Sequence, residues 1–160
     1  MIPGNRPEAP EIQATGAGLK INGDLRGDKH TIWEGGFKVP FVVRWPNIVP
    51  PGTQSDQMIN IADIFATLQE IVGGEVLAPQ IAGADSFSFC STLRGDNTET
   101  NGRFTMVIND VAGVIAIRLN GWKYIEDKVL RPTPNAGPPR KPQPQLFNLK
   151  QDPVEENNVI

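Results

Sequence analysis

The chain has 160 residues, a formal net charge of −3 and a single cysteine, Cys90. Its length is enough to bury a hydrophobic core. The slightly acidic charge argues against nucleic acid or an anionic membrane surface as a partner. No apolar run is long enough to cross a bilayer, and one cysteine excludes an internal disulfide framework. The first residues also lack the charged-then-apolar pattern of a signal peptide.

The N-terminal segment, to about Thr31, is rich in glycine, proline and small residues. It has no periodic apolar face, which predicts a loop. Residues 41–45 then form a β-prone run between Pro40 and Pro46. A short apolar run of this kind predicts a strand buried inside an α/β sheet.

Residues 60–72 carry apolar side chains at spacings of three and four. This pattern predicts an amphipathic helix whose apolar face points toward the core. The apolar positions are Ile61, Ile64, Phe65, Leu68, Ile71 and Val72. Asn60 is the predicted N-cap, and Gly73 with Gly74 is the predicted stop.

The remaining sequence predicts a small antiparallel sheet. The β-prone runs are residues 105–110, 114–119 and 122–127. Asn120-Gly121 predicts a tight hairpin between the second and third runs, because both turn positions need a positive φ. Residues 131–145 contain six prolines, which predicts an extended loop.

A motif of glycines, a lysine and aromatic residues surrounds the first predicted strand. It consists of Gly27, Lys29, Trp33, Glu34, Gly35, Gly36, Val39, Pro40, Trp45 and Pro46. In these residues and their order, the segment resembles the part of type I sulfatases that carries the substrate-anion lysine. These enzymes are the arylsulfatase-like members of the alkaline phosphatase superfamily.

Two later segments resemble the C-terminal subdomain of the same family. Residues 116–124 resemble its Ala-x-Arg-x-Gly-x-Trp-Lys hairpin. Residues 145–149 resemble its closing strand, and the turn that follows matches at Asp152, Pro153, Glu155, Asn157 and Asn158. The resemblance therefore extends from about Leu19 to Asn158.

The resemblance implies an α/β fold in two parts. Residues 1–95 would supply the end of the large sulfatase α/β sheet, with the lysine loop, one buried strand and one helix. Residues 96–160 would form the small antiparallel C-terminal subdomain, an α+β arrangement.

In activity, the resemblance implies the C-terminal portion of a sulfuric ester hydrolase. The family makes a formylglycine nucleophile from a Cys-x-Pro-x-Arg sequence and binds calcium through aspartates and an Asp-Asn pair. Cys90 is followed by Ser-Thr-Leu-Arg, and no Asp-Asn pair precedes Lys29. We therefore expect no cofactor or metal site in this chain and no activity of the isolated chain. Formylglycine and calcium would belong to an intact parent, which would be periplasmic or secreted.

Two residues are candidates for the site. As the resemblance implies, Lys29 would contact a sulfate oxygen of the ester substrate and offset negative charge in the transition state. His30 is the single histidine, and we consider it a candidate catalytic or pocket-lining residue. Glu34 is expected to fix the loop rather than to act in catalysis. Gly35 and Gly36 are expected to allow close backbone approach.

Other interpretations of the sequence remain open. The chain could be a non-catalytic module that binds anions or another polypeptide. It could also be half of a split enzyme, paired with a separately encoded N-terminal half, or it could self-associate through an open sheet edge. Because the wider superfamily also cleaves phosphate esters, a phosphoesterase is a weaker alternative.

Overall fold

The computed structural model describes residues 17–73, 85–96, 102–126 and 143–160. Their helices are α1 (Glu34–Phe37), α2 (Asp63–Ile71) and α3 (Cys90–Arg94), and their strands are β1 (Thr105–Asn109), β2 (Ile115–Leu119), β3 (Trp122–Ile125) and β4 (Gln145–Asn148). The strands form a four-stranded antiparallel sheet in the order β1-β2-β3-β4. The fold predicted from the sequence, an α/β chain with a small antiparallel sheet, is thereby confirmed.

The described residues fall into two compact units. The first unit draws them from Met1–Val39, Ile108–Ala116 and Gly121–Ile160, and the second from Pro40–Val107 and Ile117–Asn120. The predicted division into residues 1–95 and 96–160 stays a prediction. The predicted proline-rich loop lies mostly outside the described residues.

The hairpin between β2 and β3 has the turn that its sequence predicts. Asn120 has a φ of 50° and Gly121 a φ of 85°, as a tight hairpin turn requires. Strand β3 pairs antiparallel with β4, with Ile125 opposite Gln145. Along β3 the side chains alternate between exposed and buried positions, so that Lys123 and Ile125 point inward.

The core of the first unit is small and mainly aliphatic. Its buried apolar side chains are Ile32, Ile108, Val114, Ala116, Ile125 and Phe147. Trp33 packs its ring edge-to-face against Phe147, with ring centroids 6.0 Å apart. This contact joins the segment that contains Lys29 to strand β4.

In the second unit, a buried ion pair holds the start of α2. The Asp63 carboxylate accepts hydrogen bonds from Arg103 at 2.9 and 2.7 Å, and from the backbone N–H groups of Asn60 and Phe87. Burial opposes ionisation of this carboxyl group, but the Arg103 and backbone hydrogen bonds hold its pKa below the ordinary value.

Helix α2 starts later than its sequence predicts. Asn60 is not the N-cap, because that position is occupied by Ala62 without a side-chain cap. The Asn60 side chain instead accepts the N–H of Ala62 at 2.9 Å and forms a turn before the helix. The predicted stop is partly confirmed, since Gly73 follows the helix with a φ of 77°, whereas Gly74 lies outside the described residues.

The predicted burial of the apolar helix face is wrong. Ile61 and Val72 are 85% and 81% exposed, and Phe65 and Leu68 are also exposed. The buried positions of α2 are Asp63, Ala66 and Thr67, which lie on the side that packs against α3. Part of the apolar face lines a cavity together with Phe41, Trp45 and Phe89, whereas the described residues of this unit leave Ile61 and Val72 uncovered.

The predicted buried strand at residues 41–45 is also absent from the described structure. Val42 is 90% exposed and Phe41 about half exposed. A strand needs a neighbouring strand to pair its backbone groups, and no described strand pairs with this segment. Phe41 still contacts the buried Phe89 edge-to-face at 5.7 Å.

Candidate functional site

Residues 26–36, here called the lysine loop, place Lys29 and His30 at the tip of a turn. Thr31 closes this turn by donating its N–H and its hydroxyl to the Asp28 carbonyl, at 3.1 and 2.7 Å. The Asp28 N–H returns a hydrogen bond to the Thr31 hydroxyl. Lys29 and His30 are both exposed. The Lys29 ammonium group makes no hydrogen bond or ion pair with another described residue.

Two glycines let the lysine loop fold back onto the start of α1. The N–H of Gly35 donates to the Arg26 carbonyl at 2.8 Å. A Cβ atom at Gly35 would lie 2.7 Å from that carbonyl oxygen, and one at Gly36 would lie 2.7 Å from the Asp28 carbonyl oxygen. Both distances are too short for a side chain, so the close approach expected of these glycines is confirmed.

A buried ion cluster of Glu34, Lys123 and Glu155 lies under the loop. The Lys123 ammonium group is 2.7 Å from Glu155 Oε1 and 3.2 Å from Glu34 Oε1, and all three side chains are almost fully buried. Glu155 Oε2 also accepts the backbone N–H of Glu34 at 2.7 Å. Glu34 thus has the structural position expected of it.

Glu155 holds both ends of the lysine loop. Its side chain binds Glu34 at one end, and its carbonyl oxygen accepts a hydrogen bond from Arg26 at 2.7 Å at the other. The Arg26 guanidinium group also lies over the Trp33 ring, 3.4 Å from the ring centroid. These contacts fix the loop on either side of Lys29.

A short C-terminal turn places Glu155. The Asp152 carboxylate accepts the backbone N–H groups of Asn157 at 2.8 Å and Glu156 at 3.1 Å. These hydrogen bonds, chiefly the one from Asn157, hold the pKa of Asp152 below its ordinary value. Glu155 itself has a φ of 58°, in the left-handed region.

Lys123 and Glu155 belong to the site but were not predicted from the sequence. One available signal was the inward register of Lys123, at the same face of β3 as Ile125. A charged side chain at such a position requires a buried partner of opposite charge.

A cleft opens beside the loop within the first unit. Its volume is about 180 Å³, and it is lined by residues 30–33 on the loop side and by Asp110, Val114, Ile125 and Gln145. His30 lies at this cleft, directly after Lys29 in the chain.

The described residues do not fit a calcium site. Among them, no group of three or more His, Cys, Asp or Glu side chains could hold a metal ion. Cys90 lies fully buried at the start of α3, and burial raises the pKa of its thiol. The expectations for calcium and formylglycine stay expectations about an intact parent. Within the described ranges, no helix has the length and apolar character needed to span a bilayer.

Comparison with known proteins identifies the family. The sequence profile described as Sulfatase matches residues 15–74, which include the whole lysine loop. The chain is 33% identical to an N-acetylgalactosamine-6-O-sulfatase of Bacteroides thetaiotaomicron, over 86% of this chain and 26% of that protein. It is 29% identical to an ulvan-active sulfatase of Formosa agariphila, over 82% of this chain and 30% of that protein.

A solved structure agrees with these sequences. It comes from work on glycosaminoglycan metabolism by Bacteroides thetaiotaomicron and superposes with a TM-score of 0.68 at 32% identity, over 86% of this chain and 28% of that one. The chain thus spans between a quarter and a third of the length of the relatives it matches. The lysine-loop motif, the small antiparallel sheet and these matches agree, and the chain belongs to the sulfatase family as a region like its C-terminal part.

Proposed function

We propose that this chain is the C-terminal portion of a sulfuric ester hydrolase and supplies its sulfate-binding lysine loop. In this proposal Lys29 contacts a sulfate oxygen of the ester. The observation that carries it is the lysine loop itself. It presents an ammonium group without a described partner at the tip of a turn whose two ends are anchored by buried contacts.

The anchoring matters for the chemistry. A cation stabilises the charge that develops on a sulfate group most effectively when it is already in place, because it then needs no reorganisation during the reaction. The ion cluster of Glu34, Lys123 and Glu155 holds the base of the loop without using Lys29. This arrangement supports Lys29 as the free, positioned cation.

We further propose that the chain does not hydrolyse sulfate esters alone. Hydrolysis of this kind needs an activated nucleophile and a metal ion. The buried Cys90 offers no accessible thiol, and the described residues form no metal-binding cluster. The remaining part of a sulfatase, with calcium and a formylglycine, would supply both.

The exposed apolar residues support a further part of the proposal. Val42, Ile61 and Val72 are each more than four-fifths exposed, which is unusual for large apolar side chains clustered in one compact unit. We propose that the rest of a sulfatase α/β domain packs against this unit. Whether that part is in the same polypeptide or in a separately encoded half is an outcome of experiment.

Anion binding by the isolated chain tests the role of Lys29. We would titrate isotopically labelled protein with sodium sulfate at constant ionic strength and follow the backbone amide signals of the lysine loop. We expect saturable shifts in the loop and at least a roughly tenfold weaker affinity in Lys29→Ala, since one charge-assisted contact is lost. Lys38→Ala, at an exposed lysine outside the loop, is the matched control and should retain the wild-type affinity.

Hydrolysis of an aryl sulfate in the presence of calcium tests the second part. We expect no turnover by the wild-type chain. Turnover that disappears in Lys29→Ala would show that the chain holds a complete site. Sulfate affinity that is equal in Lys29→Ala and wild type would refute the role of Lys29.

A further inference from the structure

His30 has a backbone conformation that its side chain does not favour. Its φ is 78°, in the left-handed region, where a glycine would fit without strain. Thr31 closes the turn through contacts with Asp28, and none of these involves the imidazole. Strained residues cluster at functional sites, and His30 lines the cleft of about 180 Å³.

The floor of this cleft is apolar. Ile32, Val114 and Ile125 line it, and each is almost fully buried. Trp33 lies beside them. A floor of this type contacts the carbon-bound hydrogens of a ligand ring.

Two polar side chains lie at the same cleft with hydrogen-bonding capacity left over. Asp110 uses Oδ1 to accept the N–H of Val114 at 2.9 Å, and this contact holds it in the turn between β1 and β2. No described residue donates to its other carboxylate oxygen. The Gln145 carboxamide makes no hydrogen bond to another described residue. Together with His30 they offer both donors and acceptors.

We infer that this cleft binds the organic group of the sulfate ester, and that this group is a single neutral ring bearing hydroxyl groups, a saccharide unit. The inference rests on the proposed role of Lys29. His30 follows Lys29 directly, and consecutive Cα atoms are about 3.8 Å apart. Lys29 itself does not line the cleft, but a sulfate at Lys29 is close enough for its ring to reach His30, Asp110 and Gln145.

Size and polarity select this substrate class. The cleft is smaller than the roughly 300–1,000 Å³ of pockets that enclose drug-sized ligands, so it encloses one ring, whereas most of a four-ring steroid would extend beyond it. A plain aryl group would cover the Asp110 carboxylate and the Gln145 carboxamide without giving them partners, which weakens binding. The Asp110 charge also repels a second anionic group on the ring.

The test compares three probes with the same labelled chain: inorganic sulfate, phenyl sulfate and glucose 6-sulfate. We expect glucose 6-sulfate to bind about tenfold more tightly than inorganic sulfate, and phenyl sulfate to bind about as weakly as inorganic sulfate. The affinity gain is the affinity for glucose 6-sulfate divided by that for inorganic sulfate. It should fall several-fold in His30→Gly, which keeps the turn, and in Gln145→Met. Gln151→Met, at an exposed glutamine, is the control and should keep the wild-type affinity gain.

The outcomes separate the two proposals. If inorganic sulfate binds equally well to Lys29→Ala, the proposed function fails. If sulfate binding depends on Lys29 but wild-type protein shows no gain for glucose 6-sulfate, or prefers phenyl sulfate, only the saccharide subsite is overturned. The saccharide subsite is also overturned if both His30→Gly and Gln145→Met keep the wild-type affinity gain for glucose 6-sulfate.

Discussion

Glu155 contacts three other residues through three different oxygen atoms. One carboxylate oxygen pairs with Lys123, the other accepts the N–H of Glu34, and the carbonyl accepts Arg26. No local sequence pattern predicts this role, because Arg26 and Glu34 lie 129 and 121 positions away in the chain. Only the folded sheet brings Lys123 under the loop. By contrast, the close backbone approach at Gly35 and Gly36 was predicted from the motif.

Replacing Lys123 tests how much the ion cluster contributes to stability. In Lys123→Met, Glu34 and Glu155 remain buried without their cation. We expect the free energy of unfolding to fall by about 3–5 kcal/mol, the typical cost of breaking a buried pair. Urea denaturation followed by tryptophan fluorescence measures the change.

Two further variants serve as a control and as a test of partial rescue for Lys123→Met. Lys38→Met removes an exposed lysine and should change the free energy of unfolding by no more than about 0.5 kcal/mol. Adding Glu155→Gln to Lys123→Met removes one of the unpaired charges and should restore part of the lost stability. Equal stability of Lys123→Met and Lys38→Met would show that the cluster contributes little.

Among the elements, the C-terminal turn at residues 152–157 links local structure to the site. Its geometry depends on the Asp152 carboxylate, which accepts two backbone N–H groups beyond Glu155. The turn thereby fixes the position from which Glu155 reaches the lysine loop. An ionised Asp152 therefore supports the loop indirectly.

The pH dependence of stability follows from Asp152. Its pKa is lower in the folded chain than the unfolded value of about 3.9. The stabilisation is therefore complete above that unfolded value and is lost as the pH falls through the lowered folded pKa. Asp152→Asn should be less stable than wild type at pH 7, and the difference should shrink toward zero in strong acid.

Urea unfolding at a series of pH values from 7 to 2 measures this difference. Asp56→Asn, at an exposed aspartate, is the control and should follow the wild-type curve. A difference between Asp152→Asn and wild type that stays constant across the whole range would contradict the assignment.

The sequence predicted element types better than burial. It predicted three of the strands and the β2–β3 hairpin, because β-prone runs and the Asn120-Gly121 pair are local signals, whereas β4 was predicted from the family resemblance. It also predicted a helix near residues 60–72. It did not predict that Ile61 and Val72 would be exposed, since burial depends on what covers a face and not on its pattern.

At the scale of the whole molecule, the exposed apolar side chains of the second unit should govern behaviour in solution. We expect the isolated chain to self-associate with rising concentration, because burying Val42, Ile61 and their neighbours removes apolar surface from water. Sedimentation velocity over a concentration series measures this association.

Charged substitutions test which surface causes the self-association. The double variant Val42→Lys and Ile61→Lys alters two highly exposed positions without touching the core, and it should shift the population toward monomer. Val111→Lys, at an exposed position of the first unit, is the matched control and should associate like wild type. A wild-type chain that stays monomeric at every concentration would argue against this prediction.

The sequence separation between Glu155 and the lysine loop also determines when the loop can become ordered during synthesis. Arg26 and Glu34 precede Glu155 by 129 and 121 residues. At about 5–20 residues per second, the ribosome needs roughly 6–24 s to make that intervening stretch. Until then neither end of the lysine loop has its contact with Glu155. The segment that defines the family is therefore made well before its contacts with Glu155 can form, and in that interval it is open to chaperones and proteases.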